Sequence, residues 1–171
     1  MPVLSTIYGP AQLTVHRITG VLTPQEARET LHDFYTTTGP TRDVLWDARR
    51  ARWDQEAATG VLAAIKEGLG IYHAQMNYRH DGKTAVVVGS KAVLSLAVIA
   101  QQLMEGHKPP LTFEVEIFLD MKKATQWLTR SPAQTGQVAT DLFGKPEARE
   151  LLDMDEVPDI DTPPARPRPT H

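Results

Sequence analysis

The spacing of apolar positions predicts a chain of short, alternating elements. Leu4 to Tyr8 and Ala11 to Ile18 read as two strands joined at Gly9-Pro10, a dipeptide that favours a turn. In the second strand Leu13 and Val15 alternate with Thr14 and His16, as in a half-covered strand. Thr23-Pro24-Gln25-Glu26 then supplies an N-cap, a proline at the first helical position and a glutamate three residues after the cap. The helix it opens carries Ala27, Leu31, Phe34 and Tyr35 on one stripe and should end before Gly39-Pro40.

Val44, Leu45 and Trp46 form a short apolar run suited to a buried strand, and Asp54 can cap a second helix with the stripe Ala57, Val61, Ala64, Ile65 and Leu69. Asp81-Gly82-Lys83 makes a turn into Thr84-Ala85-Val86-Val87-Val88, an unbroken run that fits a central parallel strand covered on both faces. Ser90 can cap a third helix running to about Glu105, before Gly106. In the last strand Leu111, Phe113, Val115, Ile117 and Leu119 face one side, with Thr112, Glu114 and Glu116 on the other. Asp120 caps a closing helix bearing Met121, Ala124, Trp127 and Leu128. The order is β-β-α-β-α-β-α-β-α, which implies an α/β fold on a mixed, largely parallel sheet.

The domain is expected over residues 1–130. From Ser131 the character changes: seven of the thirteen prolines lie in 131–171, together with an acidic stretch through Glu147, Glu150, Asp153, Asp155 and Glu156. A short helix near 146–154 fits this segment. The rest, ending Pro163-Pro164 and Arg166-Pro167-Arg168-Pro169, is expected to be a disordered tail with polyproline II character.

Composition narrows the chemistry. A formal net charge of -3 gives no global positive field, so nucleic acid is not an expected partner. The absence of cysteine removes disulfides, thiolate catalysis and cysteine-based metal centres. The N-terminal MPVLSTIYGP has neither a basic region nor a long apolar run, and no stretch is apolar enough to span a bilayer. A cytoplasmic protein without membrane insertion is the expectation.

Several segments carry a more specific likeness. Gly20-Val21-Leu22-Thr23 precedes the first helix and Val44-Leu45-Trp46-Asp47-Ala48-Arg49 lies at the third strand, with Arg49 at its exit. Gly82-Lys83-Thr84-Ala85-Val86-Val87-Val88 forms the fourth, and Phe118-Leu119-Asp120, Ala124 and Trp127-Leu128 close the domain. With the element order, these residues resemble the STAS-like family over roughly residues 3 to 129. The likeness is to small stand-alone bacterial domains related to anti-sigma-factor antagonists, and loosely to CRAL-TRIO lipid carriers. The resemblance implies a regulatory or binding module rather than an enzyme. It also implies a phosphoacceptor at the start of the second helix, where the antagonists carry a serine. The corresponding stretch, Trp53-Asp54-Gln55-Glu56-Ala57-Ala58-Thr59-Gly60, has no serine, so Thr59 is its one candidate, placed by a longer loop than the antagonists have.

The residues themselves suggest two surfaces. Ligands of parallel sheets tend to sit beyond the carboxyl ends of the strands. Arg49, Arg50, Arg52 and Trp53 are read as following the third strand, and Ser90 and Lys91 as following the fourth. Guanidinium forks beside a helix start suit a small anionic or amphipathic, lipid-like ligand. The third helix is apolar almost all round, so Leu94, Leu96, Ile99 and Leu103 are candidates for a homodimer or partner interface. His73 and His80 lack the spacing of a metal site, and neither metal nor cofactor is expected. His16, beside Thr14, is expected to be a surface or hydrogen-bonded group. The rival reading is a small hydrolase or transferase using Asp47 or His16 in the same strand-end cleft. A third is a structural dimer whose tail recruits a partner.

Overall fold

The computed structural model describes residues 2–9, 11–37, 40–74 and 79–128; the expected tail and its helix near 146–154 lie outside them. The element order is β1 (Val3–Tyr8), β2 (Leu13–Val21), α1 (Pro24–Thr36), β3 (Asp43–Arg52), α2 (Gln55–Ala74), β4 (Gly82–Val88), α3 (Lys91–Glu105), β5 (Phe113–Phe118) and α4 (Met121–Leu128).

Local chemistry sets the helix starts. The Thr23 hydroxyl accepts from the Glu26 amide at 3.2 Å while the Glu26 carboxylate accepts from the Thr23 amide at 3.1 Å, a complete capping box. Asp54 accepts from the Glu56 amide, Ser90 from the Val93 amide, and Asp120 from the Lys122 and Lys123 amides. These are the caps expected from the sequence.

The strands lie in the order β1-β2-β3-β4-β5, with β1 antiparallel to β2 and every later pair parallel. Each crossover from β2 onward steps the same way across the sheet, so the right-handed rule puts α1, α2 and α3 on one face. The buried clusters agree. Ile18, Ala48 and Val88 pack with Leu22, Ala27, Val61 and Val93, and Val44 and Phe113 pack with Phe34, Tyr35, Leu69 and Tyr72. The other face, with Leu13, Val15, Leu45, Ala85 and Val87, is covered by Met121, Ala124 and Leu128 of α4.

Two strands differ from the sequence expectation. β2 runs on to Val21, and β3 runs on to Arg52, so Arg49, Arg50 and Arg52 belong to a strand and not to the loop after it. The cause is pairing: Gly20 and Val21 of β2 stand opposite Ala51 and Arg52. Between Arg17 and Thr19 the register shifts by one residue, because β3 takes the extra residue of a bulge there. At the far edge β5 ends at Phe118, which turns towards Trp127 of α4, while Leu119 is exposed.

Candidate ligand-binding cavity

Between the sheet and α1–α3 lies a cavity of about 140 Å³ with almost wholly apolar walls. Its floor includes Ile18, Val44, Trp46, Ala48 and Val86 of the sheet. Its roof includes Leu31 of α1, Val61, Ile65 and Leu69 of α2, and Ala97 and Met104 of α3. It exists because three helices must lie over a twisted sheet with few large side chains at their centre: Ala27, Gly68, Ala97 and Ala100 all line it.

Polar groups reach the cavity from opposite ends of β3. Near the amino end, the turn before β4 carries Arg79, whose carbonyl accepts from the Gly82 amide at 3.0 Å. The Arg79 side chain is buried. Its Nε donates to the Arg42 carbonyl at 3.0 Å, and Nη2 donates to the Lys83 carbonyl at 3.0 Å and the Thr84 hydroxyl at 2.8 Å. The guanidinium carbon sits 4.1 Å from the centre of the Phe113 ring, and the Tyr35 hydroxyl is a further partner. Burial pushes the Arg79 pKa down from its ordinary value, opposed by Tyr35 and by the charge of Asp43; an arginine still stays protonated. Burial raises the Tyr35 phenol, against the pull of Arg79.

No carboxylate among the described residues forms an ion pair with Arg79. Asp43 is the nearest candidate by electrostatics, but it is engaged elsewhere. Its Oδ2 accepts from the Arg42 guanidinium at 3.0 and 3.1 Å and its Oδ1 from the Lys83 amide at 2.9 Å. At the carboxyl end of β3, Trp53 lines the cavity, and its indole Nε1 is buried with no hydrogen-bond partner among the described residues.

The residues expected to bind an anion divide. Trp53 is a cavity wall. The Arg49 side chain folds back along its own strand, donating Nε to Asp47 Oδ1 at 3.0 Å and Nη2 to Oδ2 at 3.2 Å, with both side chains largely buried. Arg50, Arg52, Ser90 and Lys91 are exposed at the strand-end edge, where Gly89 approaches the Arg49 carbonyl too closely to carry a side chain. The most buried arginine of that edge already has a carboxylate.

The acid–base candidates do not share a cleft. Asp47 stands on the α4 face with Leu45, while the neighbouring Trp46 and the His16 stacked on it face the helices. His16 is no surface residue: it lies under Phe34 because α1 is laid across β2, and its Nδ1 is 2.8 Å from the Ser5 hydroxyl. Burial and then the charge of Arg79 hold its pKa down to about 3. Thr59 is exposed in the second turn of α2 rather than at its start. Of the interface candidates, Ile99 is exposed, Leu94 and Leu103 are half-buried, and Leu96 points into the core with Val93 and Ala100. His73 finds a partner outside its own segment, stacking on His107.

Arg79, Tyr35 and Thr84 were not singled out from sequence. The only local signal is the turn at Asp81-Gly82, which marks where Arg79 sits but not where its side chain goes. No helix among the described residues is long and apolar enough to cross a membrane.

No protein-family model matches the chain, and no curated protein matches it. Among solved structures it is similar to an uncharacterized protein of the DUF3478 family with a SpoIIAA-like fold from Shewanella loihica PV-4. The two are 17% identical over 74% of this chain and 92% of that one, with a TM-score of 0.45.

Proposed function

We propose that this protein is a non-catalytic binding module whose ligand is a slender, largely apolar molecule held between the sheet and α1–α3. The observation that carries this reading is the cavity itself: 140 Å³ of space within a core that close packing would otherwise fill. It is comparable with an engineered void of about 150 Å³ that admits benzene. A reacting centre has less support. His16 and Asp47 stand on opposite faces, and a histidine held near pKa 3 is far from the value that suits a general base. Loading the cavity would tie three helices to one sheet face, so ligand uptake would be reported as stiffness of that layer.

The test uses Ala97, a cavity wall on α3. Ala97→Leu should fill the space, raise the melting temperature of the unliganded full chain, and abolish the uptake of 1-octanol that wild type shows by calorimetry. A destabilised variant that still takes up 1-octanol with wild-type affinity would refute the cavity as the binding site.

A further inference from the structure

We infer that the ligand is a straight-chain carboxylic acid of medium length, its carboxylate on Arg79 and its chain along the β3 floor. This rests on the cavity reading and adds the chemistry of the ligand's two ends.

The head group follows from charge. Arg79 is buried in a cavity wall, with three hydrogen bonds to neutral oxygens and no carboxylate in ion-pair contact among the described residues. Those bonds occupy Nε and both Nη2 hydrogens, and the Tyr35 hydroxyl takes a further donor, which leaves one N–H of the five over. A positive charge in a low-dielectric site is costly; the charge of Asp43, itself paired with Arg42, offsets part of that cost, and the neutral oxygens orient the guanidinium without neutralising it. A carboxylate would take the remaining N–H through one oxygen, with the hydroxyls of Tyr35 and Thr84 beside it.

The body follows from shape. The floor runs along β3 from Val44 through Trp46 to Ala48, about 13 Å at ~3.3 Å per residue, and on towards Trp53. A modest volume drawn out over that length suits a single unbranched chain better than a ring system. The apolar walls offer such a chain no polar contact until Trp53. The exposed edge with Arg50, Arg52 and Lys91 is the competing anion site, and it lies at the opposite end of β3 from Arg79.

Calorimetry on the full chain near neutral pH should compare octanoate with octanamide and 1-octanol. Octanoate should bind about ten- to a hundred-fold more tightly than octanamide, the range for a hydrogen-bonded charge. That ratio should fall to about one in Arg79→Met and persist in an Arg50→Gln/Arg52→Gln double variant. Should Arg79→Met fail to fold, nuclear Overhauser contacts in wild type replace it: the C2 methylene of bound octanoate should contact the Phe113 ring. Contacts to Trp53 instead would overturn the assignment, as would a ratio near one in wild type or one lost only in the double variant. If the acid gains nothing while octanamide and 1-octanol still bind, the head group is wrong and the cavity reading stands. If none of the three binds, the cavity reading itself falls.

Discussion

The imidazole of His16 packs on the indole of Trp46, ring centres 4.2 Å apart, with the edge of Phe34 closing over it. This enclosure has a consequence for acid stability. The native ring resists protonation down to about pH 3, whereas the unfolded ring takes a proton near its ordinary 6.5. Stability from a neutral-locked group is therefore complete above that value. It falls by about 1.4 kcal/mol for each pH unit below it, until the native pKa is reached. His73 acts in the same direction, its pKa lowered by burial and by the charge of His107, whose Nδ1 lies 3.0 Å from His73 Nε2. The urea midpoint should drop between about pH 7.5 and pH 5, and His16→Gln should remove most of that drop. An equal drop in His16→Gln would assign the acid sensitivity to other groups.

One substitution should change sign within a single helix. A Cβ on Gly60 of α2 would overlap the Pro24 ring in the first turn of α1, and that ring has no rotamer in which to swing away. Gly70 of the same helix is exposed and has nothing within 4 Å of where its Cβ would sit. Gly70→Ala should gain the usual helix-propensity difference, about 0.5–1 kcal/mol. Gly60→Ala earns the same local gain but should lose more to overlap, for a net loss of about 1 kcal/mol. Chemical denaturation of both variants checks the pair, and two shifts of the same sign would mean that α1 and α2 do not meet at Gly60.

The order of elements and every helix start were legible because they are written locally. Thr23 with Glu26, Asp54, Ser90 and Asp120 each cap within three residues of their own position. What escaped was written non-locally. Nothing in Arg49-Arg50-Ala51-Arg52 alternates, so the extension of β3 came from pairing with Gly20 and Val21. Arg79 reads as a solvated turn residue, the default for arginine. It is drawn inward by the carbonyl of Arg42, distant in sequence, and by the ring of Phe113. His16 is indistinguishable by spacing from the polar face of a half-exposed strand until α1 covers it. A cavity has no sequence signature, since it is the volume that neighbouring side chains fail to fill.

The Asp47–Arg49 pair is held by two bonds, at 3.0 and 3.2 Å, between side chains only 5% and 8% exposed. Removing Asp47 takes away the carboxylate that both bonds need, so Asp47→Ala should destabilise the domain, with about 3–5 kcal/mol as the upper bound. Replacing both by Leu and Met should recover much of that loss, because the apolar pair removes the desolvation problem along with the attraction. The double-mutant cycle measures the coupling. A coupling near zero would free Arg49 for the strand-end edge, where the sequence placed it.

On α3 the contrast between Leu96 and Ile99 separates core from surface within one turn. The helical period puts Val93, Leu96 and Ala100 against the sheet, with Leu96 7% exposed and Ile99 48% exposed. Leu96→Asp buries an unpaired carboxylate against Val61 and Val93 and should unfold much of the population, costing more than about 3 kcal/mol. Ile99→Asp exchanges one exposed side chain for another and should stay within about 0.5 kcal/mol of wild type. That makes Ile99→Asp the clean probe of self-association, because any loss of mass in light scattering would be free of an unfolding contribution. Leu96→Asp cannot serve that purpose: a change in its mass would report the core it disrupts. Equal destabilisation by the two would mean that Ile99 is covered in solution, and the outer face of α3 would then be an interface.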